Sequence, residues 1–257
     1  MTVLVGVYCA DGVVIGSDSA ATSSHGRTPL IKQNVTKIDT LGDKLVFATT
    51  GSVGLHQRFR NHIQAEWNEK GFQNDPHTVA TSLCRRTIAD FQSTGVPIDP
   101  QLGLNFGALL AAPISDKHHL VEFATIDFQP EIKGEEMHFV SMGSGQVLAE
   151  PFLGFMHRVF WMDDLPALNE GIFGAVWALN HTIDLVPGMV GGPVQLATLE
   201  RGKKGQWQAR KLSEDELGEH LETCDAMEQH IRQFRIDKPD DKAEEPPVPP
   251  SPPGKKL

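Results

Sequence analysis

The sequence predicts an α+β protein built on antiparallel sheet. Three observations carry this reading. Two apolar hairpin patterns fall within the first fifty residues, two helical stripes follow them, and after residue 100 strand-like runs return before further helical stripes and a last strand pair.

The first hairpin joins Met1-Thr2-Val3-Leu4-Val5-Gly6-Val7 to Val13-Val14-Ile15-Gly16-Ser17-Asp18-Ser19. Asp11-Gly12 between them is a pair that tolerates positive φ, so the turn is expected there. Residues 23–36 are polar, carry Gly26 and Pro29, and read as a loop. A second hairpin follows, residues 38–41 and 44–50 about Gly42-Asp43, and the two hairpins are expected to share one antiparallel sheet.

Gly51-Ser52-Val53-Gly54 reads as a turn from strand into helix, because Leu55, Phe59, Ile63 and Trp67 recur at helical spacing up to Gly71. Asp75-Pro76 opens a second helix over residues 77–91, with Val79, Leu83 and Ile88 as its stripe. Both helices are expected on one face of the sheet. Residues 104–112, 119–127 and 138–141 read as strands beginning a second sheet, separated by residues 113–117 and 130–136. Val147, Leu148, Phe152, Phe155 and Val159 predict a helix to about Trp161, kinked or split by Pro151. Ile172, Val176, Leu179 and Ile183 predict another, ending near Asp184, and residues 194–200 and 207–212 return to strand. Ser213-Glu214-Asp215-Glu216 is a capping box that opens a last helix over residues 213–236. Residues 237–257 are rich in Pro, Glu, Asp and Lys and poor in large apolar side chains, so they are expected to be disordered. The domain organisation expected is one body over residues 1–212, the helix, and this tail.

A chain of 257 residues can bury a substantial core. Its formal charge of −10 argues against a nucleic-acid surface, which needs clustered Lys and Arg to displace counterions. Cys9, Cys84 and Cys224 are far apart, without CxxC spacing, and are expected as reduced thiols. The amino-terminal apolar run lacks a basic flank and fails as a signal peptide, and no stretch reaches the length of a membrane span, so the expected compartment is the cytoplasm. The histidines, His62, His118-His119, His138, His157, His181, His220 and His230 among them, show no metal-ligand spacing, and no phosphate-binding glycine pattern follows a strand. No cofactor and no metal is expected, and any ATP-driven unfolding would come from a separate partner.

Thr2 is the candidate that organises the rest. Once Met1 is removed, one residue carries both a hydroxyl nucleophile and an amine of intrinsic pKa about 8 that can take its proton. A strand beginning at this residue would hold it in place, where a terminus is ordinarily frayed. A threonine that merely suits methionine excision and starts a strand would look the same in isolation.

Thr2-Val3, Gly16-Ser17-Asp18-Ser19, Lys37 ahead of an apolar segment, Gly51 in Ala48-Thr49-Thr50-Gly51-Ser52-Val53-Gly54, and Gly143-Ser144-Gly145 together resemble the β-type proteasome subunits and the related bacterial HslV protease, in the same order along roughly residues 2–200. The resemblance is nearest to the bacterial proteasome homologue subgroup. It implies the four-layer αββα sandwich of N-terminal nucleophile hydrolases. It also implies roles: Thr2 as nucleophile, Lys37 beside its hydroxyl with Lys32 in reserve, Asp18 holding the lysine, Gly51 as oxyanion donor, and Ser144 and Asp184 on the Thr2 amine. Ala20, Ala21 and Thr49 would line the substrate pocket. Two departures stand out: Ala20 replaces an arginine common in the family, and no serine follows Asp184 at three residues.

The activity so implied is that of a self-compartmentalising threonine endopeptidase acting on unfolded polypeptide, in homo-oligomeric stacked rings, two heptamers by the subgroup and six-fold otherwise. A hydrolase of small amides and an inactive ring-forming scaffold or gate are the alternatives. The tail would block an entrance or recruit a partner.

Overall fold

The computed structural model describes residues 2–25, 28–97, 103–162, 164–188 and 190–237, with main chain alone for residues 22–25, 28–32, 70 and 235–237. These form twelve strands and five helices. The chain divides into two compact units, Met1–Leu221 and Glu222–Leu257.

In the first unit, β1 (Val3–Cys9) and β2 (Gly12–Ser17) are the hairpin the sequence predicts, buried on nearly every residue. Its turn differs. Cys9 pairs with Gly12, so Ala10-Asp11 make the turn, and neither has positive φ. Gly12 is needed for another reason: a Cβ there would stand 2.6 Å from the Leu199 carbonyl oxygen of the adjoining strand.

Residues 20–34, expected largely as loop, hold β3 (Ala20–His25) and β4 (Thr28–Asn34), an antiparallel pair forming its own two-stranded sheet. A ribbon held by main-chain pairing needs no apolar alternation, so periodicity carries no signal for it. Pro29, which cannot donate to a ladder, pairs opposite Ser24 at the register shift between Ser23 and Ser24.

The second hairpin, β5 (Ile38–Leu41) and β6 (Leu45–Thr50), turns through Gly42 and Asp43, both with positive φ. It does not join the first. It pairs onward to β7 (Gly107–Ile114), β8 (Lys117–Phe123) and β9 (Pro130–Lys133), whereas β10 (Phe139–Gly143) returns to pair with β1. With β11 (Gln195–Arg201) and β12 (Trp207–Lys211), the sheets read β10-β1-β2-β11-β12 and β5-β6-β7-β8-β9, antiparallel throughout. Residues 138–141 thus belong to the first sheet, and 130–136, expected as a connection, contain an edge strand. β9 escapes a pattern search because it is short, begins on Pro130 and buries a cation, Lys133, paired to Glu122 at 2.7 Å.

α1 (Val53–Lys70) and α2 (Pro76–Ser93) cover one face of the second sheet. Phe59, Ile63, Leu83 and Phe91 pack there with Phe47, Leu110, Phe123 and Phe128. Ser52 and Asp75 cap the two helices, and Gly71 ends α1 in the left-handed conformation. Leu4, Ile15, Val46, Leu109, Leu120 and Leu199 fill the layer between the sheets. α3 (Gln146–Val159) and α4 (Leu168–Leu185) cover the outer face of the first sheet, where Gly171 lets α4 approach Cys9, Val14 and Val7. Helix pair, sheet, sheet and helix pair make the four-layer αββα sandwich.

α3 runs through Pro151 as one helix, so of the kink or split expected there the split does not occur. The carbonyl that proline leaves without its helical partner belongs to Val147, on the exposed side of the helix, where solvent can reach the main chain. The capping box forms as read: Ser213 N donates to Glu216 Oε2 at 2.8 Å and Glu216 N to Ser213 Oγ at 3.2 Å, opening α5 (Glu214–Asp237). Cys9, Cys84 and Cys224 are free thiols. Of the tail, residues 238–257 lie outside the described residues. No helix among those described is long and apolar enough to cross a membrane.

Candidate active site

Three strand ends, those of β1, β2 and β5, and the turns after β6 and β10 build the site. Thr2 immediately precedes β1 and is almost wholly buried. Its nitrogen donates to Ser144 Oγ at 3.1 Å, and its carbonyl accepts from Gly145 N at 3.2 Å and from Ser144 Oγ at 3.3 Å. The glycines flanking Ser144 make this approach possible. Gly143 has φ +88°, and a Cβ on it would lie 2.3 Å from the Thr2 carbonyl oxygen; one on Gly145 would lie 2.7 Å from Val3 Cβ.

Asp18 follows β2 and is fully buried. A carboxylate can be kept charged there only if its oxygens are satisfied. Oδ1 accepts from Lys37 Nζ at 2.7 Å and Val3 N at 3.0 Å, and Oδ2 from Ala20 N and Gly191 N, each at 3.1 Å. The same carboxylate therefore ties the start of β1, the start of β3 and the loop after α4 to the lysine.

Lys37 precedes β5, its side chain 9% exposed. Besides Asp18, its ammonium donates to Thr2 Oγ1 at 3.2 Å. Gln195, at the start of β11, aims the segment: its Oε1 accepts from Lys37 N at 3.0 Å and its Nε2 donates to the Val35 carbonyl at 2.6 Å. Lys32 lies in β4 opposite Thr22, its side chain outside the described residues.

Thr2, Ala20, Ala21, Lys37, Thr49 and Gly51 line one cavity of about 260 Å³. Gly51 sits at the turn from β6 into α1 with φ +110°, where a Cβ would meet the Asn105 carbonyl oxygen at 2.7 Å. Asp184 stands apart. It is exposed on α4 and accepts from Asn180 Nδ2 at 3.3 Å. The fold thus brings together Thr2, Asp18, Lys37 and Ser144 and leaves Asp184 on the helix surface. Gln195 and the Gly191 main chain went unnoticed in the sequence, as did His56, which lines the same cavity. Gln195 and Gly191 act on residues far along the chain, and no local pattern announces any of the three.

A hydroxyl at the head of an interior strand paired on both sides, a lysine on that hydroxyl and an αββα sandwich beneath them define the class of N-terminal nucleophile hydrolase-like folds. The family model described as Proteasome subunit matches residues 2–154. The chain belongs to the proteasome subunit family. A curated relative, proteasome subunit beta 2 of Pyrococcus abyssi, is 27% identical over 186 residues, covering 71% of this chain and 79% of its own. Among solved structures, the fold is similar to Anbu (ancestral beta-subunit) from Yersinia bercovieri, at TM-score 0.64 and 14% identity, covering 94% of this chain and 99% of that one. It is also similar to the helical assembly of the Anbu complex from Pseudomonas aeruginosa, at TM-score 0.66 and 18% identity, with 94% and 98% covered. An Anbu (Gly-1) mutant from Hyphomicrobium sp. strain MC1 matches at TM-score 0.67 and 14% identity, with 93% and 99% covered.

Proposed function

We propose that the protein is a threonine endopeptidase whose nucleophile is Thr2, freed by removal of Met1. The observation that carries this is the position of the Lys37 ammonium, 3.2 Å from Thr2 Oγ1 and 2.7 Å from Asp18 Oδ1.

With Met1 gone, the nitrogen that now faces Ser144 becomes an α-amine. Thr2 Oγ1 attacks the carbonyl carbon of a peptide bond while the amine takes the hydroxyl proton. Lys37, held by Asp18, places positive charge beside the oxygen as it loses that proton. The N–H of Gly51 supplies a donor to the oxyanion, a contribution on the order of 3 kcal/mol for one such group. Collapse breaks the C–N bond, the leaving nitrogen takes the proton from the ammonium, and an ester remains on Thr2. Water, deprotonated by the freed amine, hydrolyses the ester and restores the enzyme. Ser144 holds the amine throughout, and Asp184, on the surface of α4, takes no part.

Unfolded polypeptide is the substrate this reading supplies, and confinement in stacked homo-oligomeric rings, two heptamers, keeps such a site from folded proteins of the cytoplasm. Self-association is supported by α3, which exposes Val147, Phe155 and Val159 on one side. Substrate unfolding falls to a separate ATP-dependent partner.

Intact mass and a covalent probe test the assignment together. The purified protein lacks Met1 and gains one β-lactone or epoxyketone adduct on Thr2, it degrades casein, and Thr2→Ala loses both adduct and turnover while assembling as before. Retained Met1 without labelling would replace this reading with the inactive scaffold. Turnover of small amides alone would replace it with the small-amide hydrolase.

A further inference from the structure

The wall of the cavity beside Thr2 carries a polar pair, Thr49 and His56, that the proposed reaction does not use. Much of its wall is apolar, formed by Ala20, Ala21, Val35 and Val53, but His56, near the start of α1, and Thr49, on β6, add a bonded polar pair to it. His56 Nδ1 lies 2.9 Å from Thr49 Oγ1, and His56 Nε2 lies 3.1 Å from Asp39 Oδ2. The imidazole stacks on Phe47 with ring centroids 5.2 Å apart, and Arg60 Nε stands 3.6 Å from the same Asp39 oxygen. The ring is therefore fixed on three sides.

Its hydrogen-bond roles follow from what each partner can do. A carboxylate only accepts, so His56 Nε2 carries the hydrogen that goes to Asp39. Nδ1 of the neutral ring is then a lone pair, and the bond to Thr49 must use the threonine's own hydroxyl hydrogen. That leaves the Thr49 oxygen presenting lone pairs to the cavity: an acceptor with no hydrogen left to give.

We propose that Thr49, oriented by His56 and Asp39, is the specificity-determining group of this pocket, selecting a substrate side chain that ends in a neutral N–H donor. The glutamine or asparagine carboxamide is that chemistry, carried on the residue whose carbonyl Thr2 attacks. The inference rests on the reading of Thr2 as nucleophile. A carboxylate would bring lone pairs against lone pairs. An aliphatic side chain would cover the Thr49 oxygen without bonding it. A cationic side chain would enter a cavity whose wall already includes the Lys37 ammonium.

Fluorogenic peptides differing only in Gln, Glu or Leu before the reporter test this on the full-length protein, at a pH above the ordinary histidine range. The wild type is expected to favour Gln over both others by about five-fold in kcat/KM, the size of one net hydrogen bond. Thr49→Val removes the advantage over Leu. His56→Phe keeps the stacking partner but frees the Thr49 hydroxyl hydrogen to be donated, so the gap between Gln and Glu narrows. Equal rates on the three peptides in the wild type, or unchanged ratios in both variants, would overturn the proposal. Labelling of wild-type Thr2 by a β-lactone, read in the same preparation, separates the two failures: labelling without a Gln preference sinks this inference alone, and no labelling sinks the nucleophile with it.

Discussion

Lys37 and Asp18 meet at 2.7 Å with the carboxylate fully buried and the lysine nearly so. Two charges taken out of water are held at a desolvation cost, and removing one partner from such a pair is worth about 3–5 kcal/mol because the other is left unpaired. The pair is therefore structural and chemical at once. Asp18→Ala would also strip the acceptor from Val3 N, Ala20 N and Gly191 N. It is expected to lower stability by several kcal/mol, read as a shift of the urea midpoint, and to abolish labelling of Thr2. Lys37→Met separates the two effects: it leaves the carboxylate its three main-chain donors, destabilises less than Asp18→Ala, and still cuts probe labelling by about 100-fold or more. Labelling of Lys37→Met at the wild-type rate would remove the lysine from the reaction.

Gly51 is a second point where backbone and chemistry coincide. At φ +110°, with the Asn105 carbonyl where a side chain would go, Gly51→Ala meets both left-handed strain and a clash. The expected cost is about 2–4 kcal/mol, with loss of turnover exceeding loss of folded protein because the N–H is re-aimed. A variant as active and as stable as wild type would exclude Gly51 from the oxyanion site.

How much of this could be read from the chain alone divides along sequence distance. Hairpins and helix caps are local, so β5–β6, the Ser52 and Asp75 caps and the Ser213 to Glu216 box stand where periodicity and turn chemistry put them, and β1–β2 does so but for a turn one residue earlier. Which sheet each hairpin joins is not local. β10 leaves its sequence neighbours to pair with β1, and apolar alternation is the same whichever partner it finds. The polar β3–β4 pair shows the converse, a strand pair made by main chain without an apolar pattern. In the site, Thr2, Asp18, Lys37 and Ser144 could be named because they sit beside glycines and strand ends that form recognisable words. Gln195, 158 residues from Lys37, and Gly191, 173 residues from Asp18, belong to no such word. Asp184 shows the limit of such words: its place at a helix end fitted the family pattern, and in the last turn of α4 it is exposed and bonded to Asn180.

Gln195 carries its own prediction. It grips Val35 and Lys37 by the main chain and lines no part of the cavity, so it positions the lysine without touching substrate. Gln195→Ala is expected to lower kcat by about ten-fold with KM little changed, and Gln195→Glu to restore little, since a carboxylate cannot donate to the Val35 carbonyl. An effect confined to stability, with kcat intact per folded molecule, would reduce it to a structural clamp.

Acid should weaken the fold before it reaches the carboxylates. Burial pushes His119 down to about 4, helped by the neighbouring His118 and Lys117, and burial also lowers His118 and His138. The sign follows from which state takes the proton. Below the ordinary histidine value of about 6.5 the unfolded chain is protonated while native His119 is not, so stability is full above that pH, falls as pH drops toward 4, and levels off below. Each such histidine contributes at most about 1.4 kcal/mol per pH unit, less where water still screens it. Asp90 acts in a lower window, since its bonds to Arg58 and His62 hold it at about 2, and its contribution is lost only as pH falls from the ordinary carboxylate value toward that point. Urea midpoints at pH 7.5, 6, 5 and 4, each on the order of a unit apart, should therefore fall steadily. His119→Gln, which cannot be protonated, should flatten part of that decline while leaving the midpoint at the highest pH nearly unchanged. Superimposable pH profiles for the two proteins would show that the native state protonates His119 as readily as the unfolded chain does.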